Sequence, residues 1–217
     1  MRRNPPSPSY IPPTPRPLLT LASLVQGVVS VAADGTSSAT GPSFYNGYTQ
    51  VSVGGGATLE HCFVEEGGGA VRPNVEEDDE EREKEGERVG LQHTAFETIE
   101  AVVVGEKGLY KASMIASGGC GRSRVSFSAA MMEESSTVEV AGLLMSGGLQ
   151  HVDMRTNLHH VAAGCNTVQS QRNVVGGRST SVFRGRIRVE QSAQQTDSKQ
   201  VSLGEGRGDV GWFSDDI

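Results

Sequence analysis

Residues able to bind a metal are concentrated in one short stretch of the chain, at His151, His159, His160 and Cys165. Imidazole nitrogen and thiolate sulfur are common protein ligands of zinc and iron. The spacing matches no compact metal motif, because neither Cys-x-x-Cys nor His-x-x-x-His occurs among them. His151, His160 and Cys165 are therefore candidate metal ligands only if the fold brings them together.

The residues around these candidates alternate between apolar and polar, with Val152, Met154 and Leu158 on one side. This period of two is typical of a β-strand with one buried face. His160 points inward with Leu158, which predicts a hydrogen-bonded core histidine. The outward side is predicted to be a polar strip made of His151, Asp153, Arg155, Asn157 and His159. His151 and His159 are too far apart along a straight strand to chelate one ion.

Glycine-punctuated strands recur through the rest of the chain, which has 28 glycines and 5% aromatic residues. Short strands are predicted at 50–53, 58–63, 100–104, 124–129 and 138–144. Glycine supplies the backbone freedom that the intervening tight turns need. Hairpins of a β-sandwich and successive turns of a β-helix would both give this rhythm, and the pattern alone does not choose between them.

Three motifs carry a resemblance to a known family. They are Gln-His-x-Asp-x-x-Thr-x-x-x-His at 150–160 with Cys165 five residues on, Val-Phe-x-Gly-x-Ile-x-Val at 182–189, and Ala-Gln-x-Thr-Asp-x-x-Gln at 193–200. Together they closely resemble the SufB/SufD family, whose members are scaffold subunits of the SUF iron–sulfur cluster assembly machine. Phe183 and the wording of 193–197 are similar to the SufD branch. Weaker similarity extends upstream to about Pro15.

The resemblance implies a fold and a set of partners. The fold would be all-β, a right-handed parallel β-helix. The partners would be a SufB-like subunit and a SufC-like ATPase, with the iron–sulfur cluster assembled transiently in the complex. The chain itself would be no enzyme and would hold no stable cofactor. Cys120, in a glycine-rich turn near the position of a sulfur-handling cysteine of the SufB branch, is a candidate for sulfur handling, against a plain structural cysteine.

Charge is distributed unevenly along the chain. The formal net charge is −7, and nine acids against three bases between Glu76 and Arg88 account for −6 of it. The remainder is close to neutral, which gives no support for nucleic-acid binding. The acidic stretch lacks apolar residues and is predicted to be a disordered insertion at about 66–90, with a regulatory or cation-binding segment as the alternative. No apolar run is long enough to span a membrane.

The ends of the chain are harder to interpret. Residues 1–14 form a basic, proline-rich tail; the stretch up to Ala33 is a transit peptide, a signal peptide or the first strand of the core. The core is predicted at 15–203 and a divergent tail at 204–217. Because the family continues after Gln200 with a cysteine–histidine motif and ATPase-docking helices, we expect a C-terminal truncation.

More than one cellular compartment and more than one function are consistent with the sequence. Three widely spaced cysteines indicate a reducing compartment. The resemblance fits a plastid stroma in a photosynthetic eukaryote and otherwise the cytoplasm. A second hypothesis is a β-solenoid that binds or cleaves carbohydrate, although Asp153 and Asp197 are far apart in sequence and such cleavage needs paired carboxylates. A third is a core fragment without function.

Overall fold

The chain folds into stacked β-strands with no helix among the described residues. The computed structural model describes residues 21–29, 43–66, 93–117 and 121–208. Eleven strands run through these ranges. They are β1 (Leu21–Val29), β2 (Ser43–Val53), β3 (Thr58–Glu66), β4 (His93–Val103), β5 (Leu109–Ala116), β6 (Arg122–Met131), β7 (Thr137–Ser146), β8 (His151–His160), β9 (Asn166–Gly177), β10 (Thr180–Val189) and β11 (Asp197–Gly208).

The strands form two parallel sheets. Sheet A has the order β1-β3-β5-β7-β9-β11, and sheet B has the order β10-β8-β6-β4-β2. The chain therefore alternates between the sheets and returns to each one beside its previous strand. In sheet B, Arg122 faces His151 and His151 faces Thr180, so successive turns there are 29 residues apart. This is a parallel β-solenoid, and the all-β, parallel β-helix prediction is confirmed.

The middle turns enclose an apolar core. Every second residue of β4 to β7 points between the sheets, as period two requires. Most of these positions carry apolar side chains: Ile99, Val103, Met114, Phe127, Met131 and Leu144 are at most 1% exposed. Tyr110 and Phe127 stack across the interior with ring centroids 6.1 Å apart. Burial of this column is the main source of stability for the stack.

One corner of the solenoid repeats the same backbone conformation in successive turns. Its residues have φ between 57° and 66°, the left-handed region: Gly56, Lys107, Ser135, Gly164 and Gln195. The N–H of each of the first four residues donates to the carbonyl just before the left-handed residue of the next turn. Gly56 donates to Glu106 at 2.9 Å, Lys107 to Glu134 at 3.2 Å, and Gly164 to Gln194 at 2.9 Å. These bonds continue the sheet ladder around the bend and fix the register of the turns.

The strand bounds bear on the predicted ends of the core. β1 lies in the stretch up to Ala33, for which a transit peptide, a signal peptide and a first core strand are the three interpretations. It pairs in parallel with β3, as expected of a first core strand. β11 runs to Gly208, past residue 203, where the core is predicted to end. The acidic stretch Glu76–Arg88 and the tail before residue 15 lie outside the described residues. The described part of the chain contains no helix with the length and hydropathy of a transmembrane span.

Candidate functional site

His160 lies inside the solenoid, at the end of β8. It is fully buried, and its Nε2 is 3.2 Å from Thr167 Oγ1 and 3.0 Å from Ser198 Oγ. Burial, and to a lesser extent the neighbouring His159, lowers the pKa of this imidazole. The prediction of a hydrogen-bonded core histidine is confirmed. Because Ser198 is on the last strand and exposed, these three side chains form a polar connection from the interior to the C-terminal end.

Cys165 lies at the turn between β8 and β9. Its side chain is 1% exposed, and its Sγ donates a weak hydrogen bond of 3.4 Å to the carbonyl of Glu133 in the turn below. Burial raises the pKa of the thiol. A thiol held in its protonated form is a poor nucleophile and a poor metal ligand. In this structure the Cys165 side chain is therefore a packing residue in the corner between β8 and β9.

The remaining chemical candidates are not gathered at one point. His151 begins β8 and His160 ends it, so roughly 30 Å separates them at about 3.3 Å per residue. Across residues 21–29, 43–66, 93–117 and 121–208, no group of three or more His, Cys, Asp or Glu side chains is arranged to hold a metal ion. Cys120 lies outside the described residues, so its sulfur-handling role stays a prediction.

The last turns have a polar interior, in contrast to the apolar middle. We call the inward polar side chains of β8 to β11 the C-terminal polar interior: Thr156, His160, Thr167, Gln169, Gln171, Asn173, Ser181 and Ser198. Gln169 Nε2 donates to Thr156 Oγ1 at 2.6 Å, and Gln171 Nε2 donates to Asn173 Oδ1 at 2.7 Å. In sheet A one register position reads His61, Ala112, Val140 and Gln169 in successive turns, so the apolar middle ends at β9.

This interior has more polar atoms than internal partners. Among the described residues, His160 Nδ1, Gln169 Oε1, Asn173 Nδ2 and Ser181 Oγ are buried without a hydrogen-bond partner. A buried polar atom left unpaired costs about 1–3 kcal/mol, so such atoms need an explanation. Ordered water is the usual partner of such atoms inside a protein.

A second buried polar group lies in the first turns. We call it the N-terminal polar cluster: Tyr45, Thr49, His61, Glu65, His93, Glu97, Tyr110 and Ser123. Glu97 accepts hydrogen bonds from Tyr45 at 3.1 Å and Thr49 at 2.8 Å. Glu65 accepts one from Ser123. His61 Nδ1 lies 2.8 Å from the Tyr110 hydroxyl.

Burial shifts the pKa of His61 and of Tyr110 in this cluster. It lowers the pKa of His61, against an opposing effect of the nearby Glu97 carboxylate. It also raises the pKa of Tyr110. Tyr110 therefore stays protonated at neutral pH and can donate to His61, while the imidazole is held neutral. Buried carboxylates supplied with hydroxyl donors are stable inside a protein, whereas unpaired ones are not.

The outward strip of β8 differs from its prediction at one residue. His151 and Asn157 are exposed and Arg155 is half-buried, as expected of a polar surface. Asp153 is only 3% exposed, so its place on a solvent-exposed strip was wrong. Its carboxylate lies between Arg124 of β6 and Arg155, whose guanidinium groups are 2.9 Å and 3.0 Å from Oδ2. The sequence of β8 alone does not show which side chain of a neighbouring strand lies beside Asp153.

Sequence reasoning missed the N-terminal polar cluster. The signal was partly available: in the predicted strand 58–63, period two puts His61 on the same side as Leu59 and Phe63 and therefore inside. Glu97 could not be found this way, because its partners Tyr45 and Thr49 are brought to it only by the stacking of β2 on β4. The carbohydrate hypothesis gains nothing from Asp153 and Asp197, which belong to strands of different sheets.

Parallel strands stacked in two sheets, with polar turns at both ends of an apolar core, define a β-solenoid rather than a barrel or a sandwich. The sequence matches the family model described as SUF system FeS cluster assembly, SufBD core domain, over residues 22–203. The chain belongs to this family and has a role in SUF iron–sulfur cluster assembly. No curated protein and no solved structure gives a significant match.

Proposed function

We propose that this chain is a SufD-like scaffold or accessory subunit that acts with a SufB-like subunit and a SufC-like ATPase. The observation that carries the proposal is the SufBD core match over 22–203, which coincides with the solenoid. The motif wording at Phe183 and 193–197 supports the SufD branch. In this proposal the subunit contributes surface and interior polar groups to an assembly site, and the ATPase supplies the energy for conformational change.

The last strands offer a surface for a partner subunit. β11 and β10 end their sheets within the described residues, so each presents one edge for further pairing. The outer faces of β9 and β11 carry four exposed apolar side chains, which we call the C-terminal apolar patch: Val168, Val174, Val201 and Leu203, 40–60% exposed. An open strand edge beside exposed apolar residues is a site for association with another chain. The C-terminal polar interior opens beside this patch.

Co-expression with SufB-like and SufC-like subunits tests the proposal. We expect the three proteins to co-elute and to assemble a cluster only together. The double variant Val201→Asp/Leu203→Asp should reduce co-elution at least tenfold, because burying two carboxylates in an apolar contact costs well over about 1.4 kcal/mol. Val104→Asp is the matched control, since Val104 is 50% exposed and lies at a corner away from the patch.

The isolated chain provides the second arm. Purified alone, it should hydrolyse no ATP and retain no stoichiometric cluster after reconstitution with iron and sulfide. A stable stoichiometric cluster on the isolated chain would overturn the scaffold assignment. Equal co-elution of the patch variant and the wild-type protein would remove the C-terminal apolar patch from the proposed interface.

A further inference from the structure

A cavity of about 590 Å³ lies on the outer face of sheet B, away from the polar interior and the C-terminal apolar patch. Its walls come from three strands and the residues just before two of them: Phe96 of β4; Arg122, Ser123 and Arg124 of β6; His151 and Asp153 of β8; Gly121 before β6 and Leu149 before β8. Sites for small molecules typically measure about 300–1,000 Å³ and combine apolar walls with a few polar groups. This cavity has that size and composition.

The buried carboxylate of Asp153 fixes the position of two arginines. Its Oδ2 accepts from Arg124 Nε at 2.9 Å and from Arg155 Nε at 3.1 Å, with Arg155 Nη2 at 3.0 Å. Asp153 is 3% exposed, so these bonds are shielded from water on the carboxylate side. Charge-assisted bonds of this kind hold a guanidinium in one orientation. One carboxylate between two guanidinium groups leaves a net positive charge.

Arg124 is oriented toward the cavity by a second contact. Its Cζ lies 5.6 Å from the centroid of the Phe96 ring, within the range of a cation–π interaction. The bond to Asp153 uses Nε, which leaves the terminal Nη groups for another acceptor. A planar guanidinium fork matches carboxylate and phosphate oxygens. Arg122 and His151, cross-strand neighbours exposed at the rim, add further donors.

We propose that this cavity binds a small organic anion, in which a phosphate or carboxylate contacts Arg124 and Arg122 while an apolar or aromatic group contacts Phe96 and Leu149. Leu149 is 42% exposed, so covering it removes apolar surface from water. The cavity plays no part in the scaffold role proposed above. The anion site and the scaffold role are therefore tested independently of each other.

Calorimetric titration of the 217-residue chain with phenyl phosphate, benzoate and inorganic phosphate tests the site. We expect saturable binding of at least one aromatic anion. We also expect phenyl phosphate to bind at least about fivefold tighter than inorganic phosphate, because only the phenyl ring reaches the apolar wall. The tighter of phenyl phosphate and benzoate identifies the anionic group. Absence of saturable binding by both aromatic anions at millimolar concentration overturns the proposal.

Two variants separate a built site from general positive charge. Asp153→Asn makes the surface more positive but releases Arg124 and Arg155, so the proposal expects binding to weaken at least fivefold. Nonspecific electrostatic attraction would instead make this variant bind the anion more tightly. Tighter or unchanged binding therefore overturns the proposal. Arg124→Lys keeps the charge and removes the planar fork, and it should also weaken binding at least fivefold. Because the Arg124 side chain is 40% exposed, we expect this variant to fold even if Asp153→Asn does not.

The control is Arg172→Gln, which removes one exposed positive charge from the outer face of sheet A. We expect its affinity for the aromatic anion to stay within twofold of the wild-type value. Arg124→Gln removes one positive charge inside the cavity and should weaken binding at least fivefold. An equal loss in Arg172→Gln would mean that net charge alone attracts the anion, and would overturn the site.

Discussion

Gly164 shows how a single backbone angle supports the stack. Its φ is +66°, and a Cβ there would meet nothing closer than Ser135 Oγ at 3.7 Å. Space is therefore available, and the cost of a side chain would be conformational alone. Lys107, Ser135 and Gln195 accept that cost at the equivalent position of other turns. The left-handed conformation costs an L-residue about 1–2 kcal/mol.

Replacing Gly164 by alanine should lower the free energy of unfolding by about 1 kcal/mol, because the strain exceeds the entropy that alanine removes from the unfolded chain. Urea denaturation measures the change. Gly54→Ala is the matched control: nothing lies within 4 Å of its Cβ position and its φ is ordinary. We expect this control to be neutral or slightly stabilising, and an equal loss in both variants would contradict the argument.

Strands β7 and β9 show how a neighbouring pair accommodates a polar interior. Gly142 faces Gln171 across the pair, and a Cβ on Gly142 would overlap the Gln171 carboxamide oxygen. The missing side chain of one strand thus makes room for the amide of the next. Gly47 has the same relation to Glu97, whereas Gly185 lies next to Gln200 of the opposite sheet. These inward glycines therefore occur where a polar side chain of a neighbouring strand needs their volume.

The variant Gly142→Ala should destabilise the protein by about 1–3 kcal/mol, the usual range for overpacking an interior. In a Gln171→Ala background the same substitution should cost less than about 1 kcal/mol, because the overlapping amide is gone. The sulfur of Met154 is also close, but thioether side chains adapt readily. A double-mutant cycle in urea measures the coupling, and additive effects would show that the amide is not the obstacle.

At the scale of the whole molecule, two buried histidines make stability depend on pH. Burial lowers the folded-state pKa of both His61 and His160 below the ordinary value of about 6.5. Below pH 6.5 the unfolded chain binds protons that the folded chain excludes, so the free energy of unfolding falls as pH decreases toward the folded-state pKa values. The stabilisation from neutral histidine is complete above pH 6.5.

We expect the urea concentration at the unfolding midpoint to decrease as the pH is lowered from 7.5 to 5.5. In His160→Gln this decrease should be less steep. Thr167→Val is the control, since it removes a partner of His160 but leaves the titrating group: it should be less stable at every pH while keeping the steep dependence. Identical pH dependence in His160→Gln and the wild-type protein would show that His160 does not contribute.

The amino-acid sequence by itself determined the family and the buried faces of several strands, whereas β5 and β9 were not among the predicted strands. Period two placed Val152, Met154, Leu158 and His160 inside, because alternation along an extended chain is a local property. Three fixed-spacing motifs then pointed to the SufB/SufD family and so to the parallel β-helix, which periodicity alone could not distinguish from a sandwich.

Only the tertiary structure decided which side chains meet. The stacking register brings Arg124 beside Asp153, 29 residues away, and the pairing of β2 with β4 brings Tyr45 to Glu97, 52 residues away. Those contacts bury Asp153 on a face that alternation assigns to solvent, and they create the N-terminal polar cluster. Contacts between turns depend on turn lengths and insertions, which local patterns do not encode. For that reason the inward face of β8 was predictable and the polar sites between strands were not.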